Sequence, residues 1–164
     1  MTHLTQPPMP LAELNFGTLR HDWDDPRVAP FVEAVDKVND IARRSPGFIW
    51  MLGDDEMGAA QKDPDGPFGD NKRVASTLSV WEDAASLMAF VHKTLHQRFM
   101  ARAADWFEPG DRSHLVMWPV AVGHRPTLAE GLERFRQWQA EGDTPMAFGA
   151  KGGALFGQSG RASL

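Results

Sequence analysis

Four apolar stretches and two amphipathic ones follow each other in the order strand, helix, strand, strand, helix, strand, and this order constrains the fold more than any other feature of the chain. Leu11 to Arg20 reads as the first strand. Asp25 followed by Pro26 opens a helix, because a carboxylate accepts from free N–H groups and proline at the first helical position has no N–H to leave unpaired. Phe31, Val35, Val38 and Ala42 then recur at spacings of three and four on one face, until Ser45, Pro46 and Gly47 end the helix. Phe48 to Leu52 is the second strand and Lys72 to Trp81 the third. Asp83 caps a long second helix running from Ala84 to about Phe107, which Pro109 and Gly110 stop. His114 to Val122 is the fourth strand. Two β-α-β units in series predict an α+β, ferredoxin-like β-α-β-β-α-β domain, with a four-stranded antiparallel sheet and two helices on one face. The second and fourth strands belong at the edges. Pro119 agrees, since proline cannot donate to a ladder.

A third helix follows. Thr127, Leu128, Ala129 and Glu130 form a capping box, with hydroxyl and carboxylate each closing a backbone donor. This extra C-terminal helix runs to about Ala140, with Leu128, Leu132, Phe135 and Trp138 on one side. The stretch Gly53 to Asn71 lacks periodicity and is rich in Asp, Gly and Pro, so it reads as a loop or pocket lid. Its Asp63–Asp70 part is acidic but lacks the spacing of an EF-hand calcium loop. Residues 1–10 read as a flexible N-terminus, 11–148 as the domain and 149–164 as a flexible tail.

The strands are apolar on both faces. The fourth sets Leu115 and Met117 against Val116, Trp118, Val120 and Val122. Helices cover one face of such a sheet, so the other needs a cover. A second copy of the chain supplies the simplest one and predicts a homodimer. The alternative is that the third helix or the 53–71 loop folds over the open face.

Composition narrows the function classes. The 42% hydrophobic and 24% charged residues are a globular balance. With net charge −5 and scattered Lys and Arg there is no basic stripe for a phosphate backbone, which argues against nucleic acid. With no cysteine, disulfides, thiolate metal sites and thiol nucleophiles are excluded. The polar start and the lack of an apolar run long enough to span a bilayer predict no signal peptide, no membrane partner and a cytoplasmic location.

Four segments carry a resemblance: LAELNFG at 11–17, RSPGFIWML at 44–52, FVHKTLHQRFMARAADWF at 90–107, and HLVMWPVAVGHRPTLAEGLERFRQWQAEGDTPMAF at 114–148. Their order resembles the dimeric α/β-barrel superfamily that includes the antibiotic-biosynthesis monooxygenases. More closely, they look like a bacterial domain family of unknown function within it. The resemblance implies the ferredoxin-like fold and a dimeric α/β barrel. It leaves the chemistry open, because that superfamily holds cofactor-free oxygenases, haem enzymes, isomerases and plain binders.

Two groups of residues point to a small-molecule site between the sheet and the second helix. His92 and His96 are four apart and share one helix face, beside its core stripe. Either could be a general base, or a haem ligand. Lys93 occupies the place where a zincin would need Glu, so no metal ion is expected. His96 matches the resembled segment better. The second group is Asn15, Phe16, Trp50, Ser79, Trp81, Phe99, Trp106 and Trp118, a mostly apolar set with a few polar groups that suits a flat substrate; most such side chains also serve as core. His124, Arg125, Arg20, His21 and Asp22 are further polar candidates at strand ends. The leading expectation is a small-molecule enzyme without cofactor, a monooxygenase-like oxidoreductase acting on a hydrophobic or aromatic substrate. A haem protein with His92 or His96 as axial ligand and a non-catalytic binder or structural dimer are the alternatives.

Overall fold

The computed structural model describes residues 9–92, 102–109 and 114–150. Its elements are β1 (Leu11–Thr18), α1 (Ala29–Arg44), β2 (Phe48–Met51), α2 (Asp54–Lys62), β3 (Val74–Trp81), α3 (Ala84–Phe90), α4 (Ala103–Trp106), β4 (His114–Pro119) and α5 (Leu128–Glu141). The strands form one antiparallel sheet in the order β2-β3-β1-β4. This is the ferredoxin-like α+β arrangement, with β2 and β4 at the edges as the Pro119 argument requires. The β4 edge is partly closed, because Met117 and Phe148 exchange backbone hydrogen bonds of 2.8 and 2.9 Å.

The helix starts follow the sequence signals. Asp25 accepts from the Arg27 N–H at 2.8 Å, in a short 3-10 turn, Pro26–Val28, that leads into α1. Asp83 accepts from the Ser86 N–H at 2.7 Å and caps α3. Gly47 turns the chain from α1 to β2 at φ +85, where a Cβ would also run into Ser86. Of the expected long second helix the described parts are α3 and α4, the stretch 93–101 lying outside the described residues, and Phe107 bridges to Leu19 rather than extending a helix.

The stretch expected as a loop contains α2. Gly53 is extended at its start, and Asp54, Asp55 and Glu56 place negative charge at the positive end of the helix. Only Met57 is buried, so no apolar stripe betrayed it.

Both faces of the sheet are covered by the chain itself. On the first face lie α1, α3 and α4. Leu11, Trp81, Met117 and Phe148 pack there with Ala42, Ala84 and Leu87 at one end, while Leu19 and Ala75 pack with Phe31 and Trp106 at the other. On the second face Leu14, Leu78, Val80, Val116 and Trp118 pack against Leu128 and Phe135 of α5 and Met57 of α2. The alternative cover, the third helix together with the 53–71 stretch, is therefore the one realised. The bare sheet face from which a second copy was expected does not exist in the protomer.

Gly131 lets α5 settle on the sheet. A Cβ there would stand 3.0 Å from Leu14 Cδ2 and 3.2 Å from Trp118 Cη2. The packed region continues through Gly149, which is buried and donates its N–H to Asp143 Oδ1 at 2.9 Å.

Candidate functional site

On the first face a polar band crosses the sheet between the two apolar clusters. It comes from period-two alternation. Leu11, Glu13 and Asn15 of β1 share a face, and register sets Glu13 opposite Ser79 and Asn15 opposite Thr77 of β3. Glu13 lies on a central strand, between Ser79 and Met117. Only 4% of it is exposed.

A carboxyl group so placed has lost its water and must be held by the protein. Ser79 Oγ donates to Glu13 Oε1 at 2.7 Å, and Thr77 Oγ1 lies 3.1 Å from the same oxygen. Ser79 in turn accepts from the Trp81 indole N–H at 2.9 Å. Trp81 is fixed by stacking on Phe90 at 5.3 Å and by an edge contact with Phe48 at 5.4 Å. The network thus runs from indole to hydroxyl to carboxylate. Burial disfavours the charged carboxylate, while the hydrogen bonds from Ser79 and Thr77 favour it. Burial wins, and the Glu13 pKa is pushed up to about 7. Glu13 therefore exchanges its proton near neutral pH, the property a general base or acid needs.

Glu13 was missed in the sequence, although Asn15 and Ser79 of the same band were identified. The available signal was a carboxylate between Ala12 and Leu14 inside an otherwise apolar strand, two residues from Asn15.

The other expected residues divide between the faces. Asn15, Ser79 and Trp81 join the polar band on the first face. Trp106 is buried on that face too, but in the apolar cluster beside Phe31, at a ring separation of 5.7 Å. Phe16, Trp50 and Trp118 belong to the second face. His96 and Phe99 lie outside the described residues. His92 is exposed at the end of α3, not at the border of the helix–sheet interior as its spacing implied. The group on this face whose pKa is raised towards neutral pH is the Glu13 carboxyl.

The described histidines fit a haem poorly. Among those whose burial is described, His92 and His124 are exposed and His21 is half-buried, so none of these three is a buried axial donor. Among the described residues no group of three or more His, Asp and Glu could hold a metal ion. No described helix is long and apolar enough to cross a membrane.

At the end of β4 a third arrangement replaces the expected capping box. Thr127 Oγ1 accepts from the Glu130 N–H at 3.1 Å, which is half of the box. The Glu130 carboxylate does not return to Thr127. It accepts from the Trp118 indole N–H at 3.0 Å and meets His124 Nε2 at 2.7 Å, tying α5 to the sheet. Arg125 is exposed beside it.

Also on the second face is an open cleft of about 320 Å³, bounded by β1, α5 and the segment after α2. Phe16, Phe68 and Phe135 line it, so the 53–71 stretch does border a cavity, but on the face opposite Glu13.

Fold and polar band together define a ferredoxin-like α+β domain with a titratable carboxyl group buried under its helices. The chain belongs to the family described as a domain of unknown function (DUF3291), whose model matches residues 10–157. No curated protein matches the chain. Among solved structures it is similar to SnoaB, a cofactor-independent oxygenase from Streptomyces nogalater. The likeness has 16% identity and a TM-score of 0.41, over 74% of this chain and 99% of that one.

Proposed function

We propose that this protein is a small-molecule enzyme, a monooxygenase-like oxidoreductase, whose proton acceptor is Glu13. The observation that carries the reading is the wholly buried Glu13 carboxyl held by Ser79 and Thr77, with a pKa of about 7. Of the chemistries that the resembled superfamily holds, cofactor-free oxygenation is the one that asks of the protein only a base active near neutral pH in an apolar surrounding. In this reading the site lies on the first face of the sheet, with Asn15, Ser79 and Trp81 around the base.

The substrate is a hydrophobic aromatic compound with an acidic O–H or ring-activated C–H. Its proton passes to Glu13 and the electron pair of the broken bond stays on that oxygen or carbon, delocalised into the ring. Dioxygen is the oxidant that such an electron-rich anion reduces. For an activated methylene, one CH2 and one O2 yield one carbonyl and one water, so no other reductant is needed. Ser79 and Thr77 position the carboxylate, and Trp81 orients Ser79.

Oxygen uptake with a panel of phenols, hydroquinones and aryl-activated methylenes tests the reading. Turnover should rise with pH through about 7, and Glu13→Gln should lower it by about a hundredfold or more. Unchanged turnover in folded Glu13→Gln, or no uptake with any member, overturns it. His96 and His92 stay in the reading as the pair that the sequence pattern sets on one predicted helix face. His96→Ala and His92→Ala separate their contributions from that of Glu13.

The homodimer belongs to this reading through the resemblance, along with a cytoplasmic location. It has to form without a bare sheet face. Among the described residues the β2 edge, with Ile49 46% exposed, is a surface that such pairing could use. A monomer by light scattering at micromolar concentration removes the dimer.

A further inference from the structure

The cleft on the second face stands apart from the proton-transfer chemistry, because the sheet itself separates it from Glu13. Phe16 and Phe135 meet edge to face at 4.9 Å, and Phe68 completes the aromatic wall at 6.2 Å from Phe16. A cleft walled by an aromatic edge-to-face cluster suits a further flat ring. The volume of about 320 Å³ is at the small end for ligand sites and suits a one- or two-ring compound.

The rim supplies the recognition chemistry. Asn71 is already engaged, donating to Thr18 Oγ1 at 2.9 Å and accepting from the Arg73 N–H at 3.1 Å. Gln139 and Arg136 are exposed at the mouth on α5. Arg136 pairs with Glu133 at 3.2 Å, but both side chains are more than 60% exposed, at 67% and 62%. Such a pair contributes little and exchanges readily for a better anion. A planar carboxylate matches the guanidinium fork.

We infer that this cleft is a second binding site, separate from the Glu13 face, for a small flat aromatic acid whose ring lies among Phe16, Phe68 and Phe135 and whose carboxylate pairs with Arg136.

The test is titration of the full chain with 1-naphthoate, followed by calorimetry and ligand fluorescence, with 2-naphthol as the neutral control. Saturable binding of 1-naphthoate is expected, tighter than that of 2-naphthol. Arg136→Gln should weaken it about tenfold, and Phe68→Ala by at least as much. Glu13→Gln should leave it unchanged. Arg136 is on an exposed helix surface, so its variant keeps the test alive if Phe68→Ala fails to fold. Absence of binding up to millimolar ligand overturns the proposal. So does full affinity in Arg136→Gln, or loss of affinity in Glu13→Gln alone, which would put the ligand on the other face. Oxygen uptake plays no part in this readout, so the two proposals fail independently.

Discussion

Ser79 and Ser76 stand three residues apart on one strand, face opposite sides of the same sheet, and meet opposite fates. Ser79 is fully used, donating to Glu13 and accepting from Trp81. The Ser76 hydroxyl is buried with no partner. The first face has therefore concentrated its polar groups into one connected network between two apolar clusters. The second face is a continuous apolar core, with Trp118 wholly buried, interrupted by a cleft and one unsatisfied hydroxyl. The first pattern suits moving a proton, since the carboxyl is buried yet supported. The second suits holding a ring, since apolar walls bind without reacting.

Variants on the two faces should separate these roles. The largest effect belongs to the apolar core. Trp118→Ala removes a fully buried indole and one of the two partners of Glu130, and it should cost about 4 kcal/mol in denaturant unfolding. A cost below about 1 kcal/mol would mean that α5 does not rest on the sheet.

Next is the pH dependence set by Glu13. Its folded pKa, about 7, lies above the ordinary 4.5. The folded state thus binds the proton more tightly than the unfolded chain. Its contribution is full below pH 4.5, declines as pH rises from there to about 7 and is flat above. The whole swing is of order 3 kcal/mol. Glu13→Gln should abolish this swing and be more stable than the wild type at pH 8, as thermal melts across pH 4–9 would show. Equal pH profiles in the two proteins would mean that Glu13 is solvated.

The two serines sharpen the contrast further. Ser79→Ala should destabilise by about 2 kcal/mol, because it strips hydrogen-bond partners from Glu13 and Trp81, and should raise the Glu13 pKa further. Ser76→Ala should stabilise the free protein by up to about 1 kcal/mol, since it removes a buried hydroxyl that has no partner. The same sign in both would erase the distinction between the faces.

The order of strands and helices, the edge position of β4 and the caps at Asp25, Asp83 and Thr127 were all legible in the sequence. Each depends on neighbours within a few residues: alternation, turn chemistry, and a side chain reaching the next free N–H. The α2 helix was not legible, because it buries one residue and its stability comes from what Met57 touches. Nor could the sequence divide its candidate residues between two sites. Alternation within β1 separates Phe16 from Asn15, but only the pairing of distant strands decides which lies beside Ser79 and which beside Ser76.

The sequence by itself determined the ferredoxin-like order and the supply of polar groups in apolar strands. Tertiary structure alone decided that α2 and α5 close the second face, and that Glu13 loses its water while Ser79 and Thr77 come within reach of it. The physical reason is that hydrogen bonding and capping act along the chain over a few residues. Desolvation is a property of everything packed around a group, and most of what surrounds Glu13 is far away in sequence.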